Sequence, residues 1–305
     1  MAIGSAALKR YGGYAAFAFD TFVLRRVRPF LFVLVINDRC NLDCFYCESK
    51  NTGRYDLTRE AVWKALESAF ARGNRALVIS GGEPFLWRGE GKSLSDVVTR
   101  AREIGFRDVA VFTNGTFPLR IDGCTFIVTV DGTRDRHNAI RQGTYDTVLE
   151  NARAAARKPI ASITLSKANA SDLEVAVTEI AASCAFAGIT FNLLTGSPEL
   201  VSSQGFLGRE RAELLDRIWD LRQSGFPIVF SEAAYRALHD NAWKRPVRQV
   251  ELQAGPDVFA CCRDVVHPEI CANCGYTSCV EISESVAGRP TAMIELLRTT
   301  RASSR

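Results

Sequence analysis

Leu31-Phe32-Val33-Leu34-Val35-Ile36-Asn37-Asp38-Arg39-Cys40-Asn41-Leu42-Asp43-Cys44-Phe45-Tyr46-Cys47 is where the chain first shows its plan. The apolar run 31–36 is long enough for a buried strand and too short for a membrane helix. Cys40, Cys44 and Cys47 follow at spacings of four and three, on the loop that leaves the strand. A fully ligated cubane cluster takes four cysteines, so three thiolates on one short loop hold three irons and leave the fourth open to a ligand. The competing readings are a zinc knuckle or scattered core cysteines. A zinc knuckle sets a two-cysteine hook near a second pair or histidines, and none follows closely here.

Outward from this stretch, strands and helices alternate. Strands are expected at 31–36, 76–80, 109–113, 126–130, 160–165 and 189–194. Helices are expected at 58–73, 94–104, 144–157 and 172–186, with Thr58 as an N-cap and Gly73 and Gly105 as stops. Six βα units imply a parallel sheet with right-handed crossovers. Periodicity alone fits either an open doubly wound sheet or a curled partial barrel. Beyond residue 195 the pattern changes. A polar loop is expected at 196–208, helices at 210–221 and 232–239, and short strands at 228–230 and 257–260. Helical periodicity is lost over 245–282, and a last helix is expected at 291–297. The division is a 1–28 N-terminal amphipathic helix, a 29–196 core, a 197–244 helical connection and a 245–305 cysteine-rich extension with its tail.

Three further motifs stand at the ends of expected strands: Ile79-Ser80-Gly81-Gly82-Glu83-Pro84, Thr113-Asn114-Gly115, and Thr129-Val130-Asp131-Gly132 followed by His137 and Arg141. With the cysteine loop and its Tyr46, these four motifs resemble, in the same order, those of the radical S-adenosylmethionine (radical SAM) superfamily. The resemblance implies an α/β fold, a partial (β/α)6 TIM-like barrel with a cysteine-rich C-terminal extension and its site at the C-terminal ends of the strands. It implies that Cys40, Cys44 and Cys47 ligate a [4Fe-4S] cluster whose open iron takes the amino and carboxylate groups of S-adenosylmethionine. An external donor such as flavodoxin or ferredoxin supplies an electron, and the 5′-deoxyadenosyl radical takes hydrogen from an unactivated carbon. On this reading Gly81 and Gly82 let the backbone approach the ligand, and Glu83 accepts from the methionine ammonium. Thr113 and Thr129 reach the ribose or carboxylate, Ser166 or Asn169 also reaches the ribose, and Tyr46 offers its face or backbone to adenine. The plainer alternatives are a tight turn for the glycines and hydroxyls that satisfy their own loops. Asp131, His137 and Arg141 read either as substrate contacts or as a salt-bridged loop scaffold.

A second group, Cys261, Cys262, Cys271, Cys274 and Cys279, crowds into the extension. Cys271, Cys274 and Cys279 with Cys262 make four thiolates, leaving Cys261 spare, or the reverse. A second [4Fe-4S] cluster or a zinc ion fits these ligands. Related radical enzymes carry auxiliary clusters in SPASM or twitch extensions, which favours the cluster. The spacing does not reproduce the seven-cysteine SPASM pattern, so one auxiliary cluster is expected. Cys124 and Cys184 stand alone and read as core residues.

The totals agree. The chain has 305 residues, 47% hydrophobic and 24% charged, enough for one large α/β domain with an appendage. A net charge of +4 is too small to argue for nucleic acid. Ten cysteines in clusters, with no secretory signal, favour metal or redox use in a reducing cytosol. Residues 5–28 carry Tyr11, Tyr14, Phe17, Phe19 and Phe22 between basic ends. They read as a helix packed on the core or as one lying on a membrane surface, so the expected location is cytoplasmic, with peripheral membrane contact as the variant. The resemblance implies a peptide or lipid substrate. A reading of a different class is a non-catalytic iron–sulfur protein that passes electrons or senses redox state, without cleaving S-adenosylmethionine.

Overall fold

A computed structural model describes residues 17–295 of the chain. Strands β1 (Leu31–Val35), β2 (Ala76–Ser80), β3 (Asp108–Thr113), β4 (Thr125–Thr129), β5 (Ile160–Leu165) and β6 (Gly188–Leu193) lie side by side in sequence order, all parallel. The extension adds two strands at the other flank of β1. There β7 (Val250–Ala254) pairs parallel with β1, and β8 (Asp257–Ala260) closes an antiparallel hairpin on β7. The order across the sheet is therefore β6-β5-β4-β3-β2-β1-β7-β8. This is the expected α/β barrel-like core, and the strand that launches the cysteine loop is central.

The crossovers form where the capping residues ask for them. Helix α1 (Arg59–Arg72) starts at Thr58, whose Oγ1 accepts from the Ala61 amide at 3.2 Å. It stops at Gly73, whose φ of 119° excludes most side chains. Helix α2 (Leu94–Ile104) is opened by Ser93, whose amide donates to Asp96 at 2.9 Å, and is stopped by Gly105. α3 (Arg134–Ile140), α4 (Tyr145–Ala154) and α5 (Leu173–Ala182) complete the first layer. Phe32, Leu34, Leu77, Ile79, Val111, Val128 and Ile163 point from the strands into one buried core, met by Val62, Leu66, Val97 and Val177 from the helices. Trp87 is wholly buried with its indole N–H on the Leu57 carbonyl at 2.7 Å.

The later part holds α6 (Pro198–Gln204), α7 (Gly208–Gln223), α8 (Glu232–His239), α9 (Pro268–Ala272) and α10 (Thr277–Val286). Four expectations are corrected here. The loop at 196–208 contains α6, capped by Ser197 with Pro198 at its first position. The strand at 228–230 shrinks to one bridge between Ile228 and Ile189. The aperiodic 245–282 stretch contains β7, α9 and the start of α10. Cys184 is not a core residue: it sits exposed at φ 53° in the turn after α5. The helix expected over 5–28 lies outside the described residues as far as residue 16. From residue 17 helical turns run only to Val23, and Arg25 then takes φ 55° and turns the chain toward β1. The helix expected at 291–297 is described only as far as residue 295. Among the described residues no helix is long and apolar enough to cross a membrane.

Candidate active site

The cysteine loop lies over the C-terminal ends of the parallel strands, and every motif read from the sequence touches it. Asp38, at its start, accepts from the amides of Arg54 and Tyr55 at 2.8 and 3.4 Å, and Thr52 donates to it as well. Burial pushes its carboxyl up, but these donors outweigh it and leave it below the ordinary value. Asn51 then clamps Cys40, accepting from its amide at 2.8 Å and donating to its carbonyl at 3.2 Å.

The glycine-rich turn after β2 packs directly beneath. The Gly82 amide donates to the Asn37 carbonyl at 2.9 Å and the Glu83 amide to the Arg39 carbonyl at 2.7 Å. A Cβ on Gly81 would stand 2.5 Å from the Asn37 carbonyl oxygen, and one on Gly82 would stand 2.4 Å from those of Asp38 and Arg39. These glycines therefore serve backbone-to-backbone contact within the chain. The Glu83 carboxylate is fully buried and accepts from Thr113 Oγ1 at 2.9 Å, the Asn114 amide at 2.8 Å and the Phe85 amide at 3.1 Å. Burial raises its pKa, opposed by these donors. Asn114 Nδ2 in turn donates to Asn41 Oδ1 at 2.8 Å, and Asn41 donates to Thr116 Oγ1 at 2.9 Å. So the β2 turn, the β3 turn and the cysteine loop form one connected set.

The β4 motif holds the other side of the loop. Arg141 Nε donates to Asp131 Oδ2 at 2.6 Å, both side chains being buried. Tyr46 Oη donates to the same carboxylate oxygen and accepts from Arg141. Asp131 Oδ1 accepts from the Thr164 amide of β5 at 2.9 Å. His137 Nδ1 accepts from the Asp131 amide at 3.2 Å, so its proton lies on Nε2, which meets Thr144 Oγ1 at 3.1 Å. Burial, helped by Arg141, pulls its pKa down to about 4. Asp131, His137 and Arg141 thus form the salt-bridged scaffold, and the Tyr46 hydroxyl is part of it.

Cys40, Tyr46 and Cys47 pack against a small apolar cluster of Leu42, Cys44 and Ile140, separate from the main core. Burial raises the Cys40 and Cys44 thiols. Among the described residues no three His, Cys, Asp or Glu side chains converge on the point that a single metal ion would occupy; a four-iron core holds its ligands on a wider frame. Thr129 is buried at the end of β4. Ser166, just after β5, is fully buried and its Oγ has no partner among the described residues. Of the polar side chains expected to meet a cofactor, it keeps an unspent hydrogen bond. Beside the loop opens a cavity of about 510 Å³, bounded by Tyr46, Cys47 and Arg54, the strand-end residues Thr164 and Asn192, and Phe259, Arg263, His267 and Tyr276 of the extension. The thiols on one loop, the orphan hydroxyl and the adjoining cavity fit a cluster with an open iron and a ligand beside it.

The extension brings its cysteines together as well. Cys261, Cys262, Cys271 and Cys274 line one narrow cleft with Asp264, Arg245 and Tyr276. Cys279, on α10, lies behind, its Sγ 4.0 Å from that of Cys261. Cys261 takes φ 79°. Its thiol is lowered by Cys262 but pushed up to about 12 overall by Cys279 and burial, and burial likewise takes Cys274 to about 12. Crowded buried thiols ionise when a bound cation compensates them. Thr195, Asp264 and Tyr276 line both the cleft and the large cavity, which therefore share a wall. Sequence reading missed Asn114 as the bridge to Asn41, the extension residues over the cavity, and Arg211. Only Asn114 lies in a quoted motif.

Comparison with known proteins agrees with this geometry. The family model described as the Radical SAM superfamily matches residues 34–166. Among curated proteins, the probable GTP 3′,8-cyclase of Methanothermobacter thermautotrophicus is 34% identical over 95 residues, 30% of this chain and 30% of that protein. The corresponding protein of Saccharolobus islandicus is 33% identical over 78 residues, 25% of this chain and 24% of its own. The matches thus span under a third of these relatives' length. Among solved structures, SuiB of Streptococcus suis bound to precursor peptide SuiA superposes with a TM-score of 0.62 at 11% identity, covering 95% of this chain and 73% of that one. anSMEcpe with bound AdoMet and Kp18Cys peptide gives 0.53 at 17% identity, covering 69% and 66%. These likenesses speak for the fold, and the family match covers all four motifs: over residues 34–166 the chain matches the radical SAM superfamily.

Proposed function

We propose that the chain is an enzyme that cleaves S-adenosylmethionine reductively and uses the radical on a peptide substrate, with a second cluster in its extension. The observation that carries this is the cysteine loop, roofed over the parallel strand ends and bonded to all three other motifs. Cys40, Cys44 and Cys47 would hold a [4Fe-4S] cluster, which would supply the electron for reductive cleavage of S-adenosylmethionine. The protein's own work is positional. Asn51, Asn114 and Tyr46 hold the loop, and the Glu83 carboxylate fixes the β2 and β3 turns under it. Ser166 offers a free hydroxyl to the cofactor's polar groups, with Thr129 at the end of β4 as the second hydroxyl. Cys262, Cys271 and Cys274, with Cys261 or Cys279, would hold the second cluster.

The large cavity is the place for substrate. Its lining mixes Arg54, Arg263, His267, Asn192 and Thr195 with Tyr55, Phe259 and Tyr276, which suits a peptide's alternating polar and apolar groups better than a lipid chain. The solved SuiB and anSMEcpe complexes, which hold peptides as named, support the same choice. Dithionite-reduced, reconstituted protein with S-adenosylmethionine should release 5′-deoxyadenosine, and the Cys40/Cys44/Cys47→Ala triple variant should not. Release by neither would leave an iron–sulfur protein without cofactor cleavage. Deuterium transfer into 5′-deoxyadenosine from labelled peptides, but not from labelled lipid or GTP, would fix the class.

A further inference from the structure

Arg211, on the first turn of α7, is 4% exposed and meets no carboxylate among the described residues. Its guanidinium spends itself on carbonyls: Nε on Leu238 at 3.3 Å, Nη1 on Asn273 at 3.0 Å and Nη2 on Cys274 at 3.0 Å. Arg245 approaches the same hook from the other side. Its Nη1 donates to the Ala272 carbonyl at 2.8 Å and to Asn241 Oδ1 at 2.9 Å, and its guanidinium lies over the Trp243 ring at 4.7 Å. The three successive carbonyls of Ala272, Asn273 and Cys274 are thus each capped by an arginine. Among the described residues neither arginine has an ion-pair partner. Asp264, the acidic residue lining the cleft, stands 4.0 Å from Arg263. A buried ion with no opposite charge is strongly disfavoured, so the hook is built for something negative.

We propose that Arg211, with Arg245, is the counter-charge of a thiolate-held anionic cluster on Cys271 and Cys274, and that it raises that cluster's reduction potential. The inference rests on reading this group as a second [4Fe-4S] site. Thiolate ligation leaves such a cluster negative, and reduction adds one more charge. A fixed cation nearby therefore favours the reduced form, and removing it lowers the potential. Burial lowers the Arg211 pKa to about 10, opposed by Cys274, which still leaves it charged at neutral pH. Arg211 acts through the cluster's surroundings and is a positioning residue.

The test is a redox titration, followed by electron paramagnetic resonance, of reconstituted full-length protein in the Cys40/Cys44/Cys47→Ala background, which isolates the second site. Arg211→Gln should keep about four irons per chain and titrate at a lower potential, with Arg211→Lys returning toward the parent. Arg245→Gln, at a half-buried position, should shift the potential in the same direction by less, and carries the test if Arg211→Gln does not fold. Iron lost from Arg211→Gln and restored in Arg211→Lys also supports the proposal. Iron lost from both variants overturns it, since the arginine then only packs the hook. So does an iron-loaded Arg211→Gln with the parent's potential. A parent variant with no iron removes the second-cluster reading itself, a result distinct from an unmoved potential.

Discussion

The Asp131 carboxylate is buried between Arg141, Tyr46 and the Thr164 amide, so one charge joins the cysteine loop to β4 and β5. Removing one partner of such a buried pair strands the other. Arg141→Met should therefore cost about 3–5 kcal/mol in urea unfolding, while Tyr46→Phe, which removes a hydrogen bond to a charged pair, should cost about 1.5–3 kcal/mol. Equal, small losses would mean that the network is solvated. His137 gives the pH dependence. It is neutral when folded, with its pKa near 4 against 6.5. The unfolded chain takes up the proton first as pH falls, so stability present above pH 6.5 is lost toward pH 4, by about 3 kcal/mol. Glu281, raised to about 7 by burial, acts in the opposite sense, its contribution being lost as pH rises from 4.5 through 7. The His137 effect is therefore read as wild type minus His137→Gln, and a parallel pH dependence of the two proteins would contradict it. At this scale the cysteines were legible because ligand spacing is written in sequence. Arg211 was not: one arginine on a helix looks the same whether it faces water or lies sealed under a cysteine hook.

Elements with clean caps and one apolar face were readable, and α1, α2, β2 and α8 fall where their capping or periodic residues put them. α10 was not readable, because Glu281, Ser283 and Ser285 are buried along with its apolar residues and blur any stripe. The reason is tertiary: Glu281 accepts from the Ser231 amide and hydroxyl at 2.7 Å each. β7 alternates Val250, Leu252 and Ala254 with Glu251 and Gln253, a period-2 signal too short to stand out beside the cysteines; its Glu251 is held by Arg72 and Asn74. The seam between β6 and the extension gives an element-level prediction. A Cβ on Gly275 would stand 2.4 Å from Leu193 Cβ and 2.8 Å from its carbonyl oxygen, where the Leu193 amide bonds to Gly275 at 3.0 Å. Gly275→Ala should lower stability by about 1–3 kcal/mol and reduce iron at the second site while leaving the Cys40 site loaded. Iron assays in the two single-site backgrounds check it, and loss confined to the Cys40 site would refute it.

Over the whole molecule, the extension is part of the sheet. β7 covers the flank of β1 that β2 leaves open, and β8 takes the edge. Without them β1 would present an unpaired edge to other chains. A chain ending at residue 244 should therefore associate or precipitate where the full chain does not, as size-exclusion chromatography would report; a well-behaved monomer would show that β1 can stand as an edge. The six-strand plan was legible from alternation, but the return of residues 250–254 to the side of 31–35 was not, because no local pattern names a partner so far along the chain.

That return has a consequence in time. A ribosome adds about 5–20 residues per second, so β1, which launches the thiol loop, waits roughly ten to fifty seconds for its second neighbour. During that wait the nascent chain holds its first cysteines beside an unfinished edge. Of the three, only Cys47 borders the cavity that Phe259, Arg263 and Tyr276 will wall, so that wall is missing from it until the extension emerges.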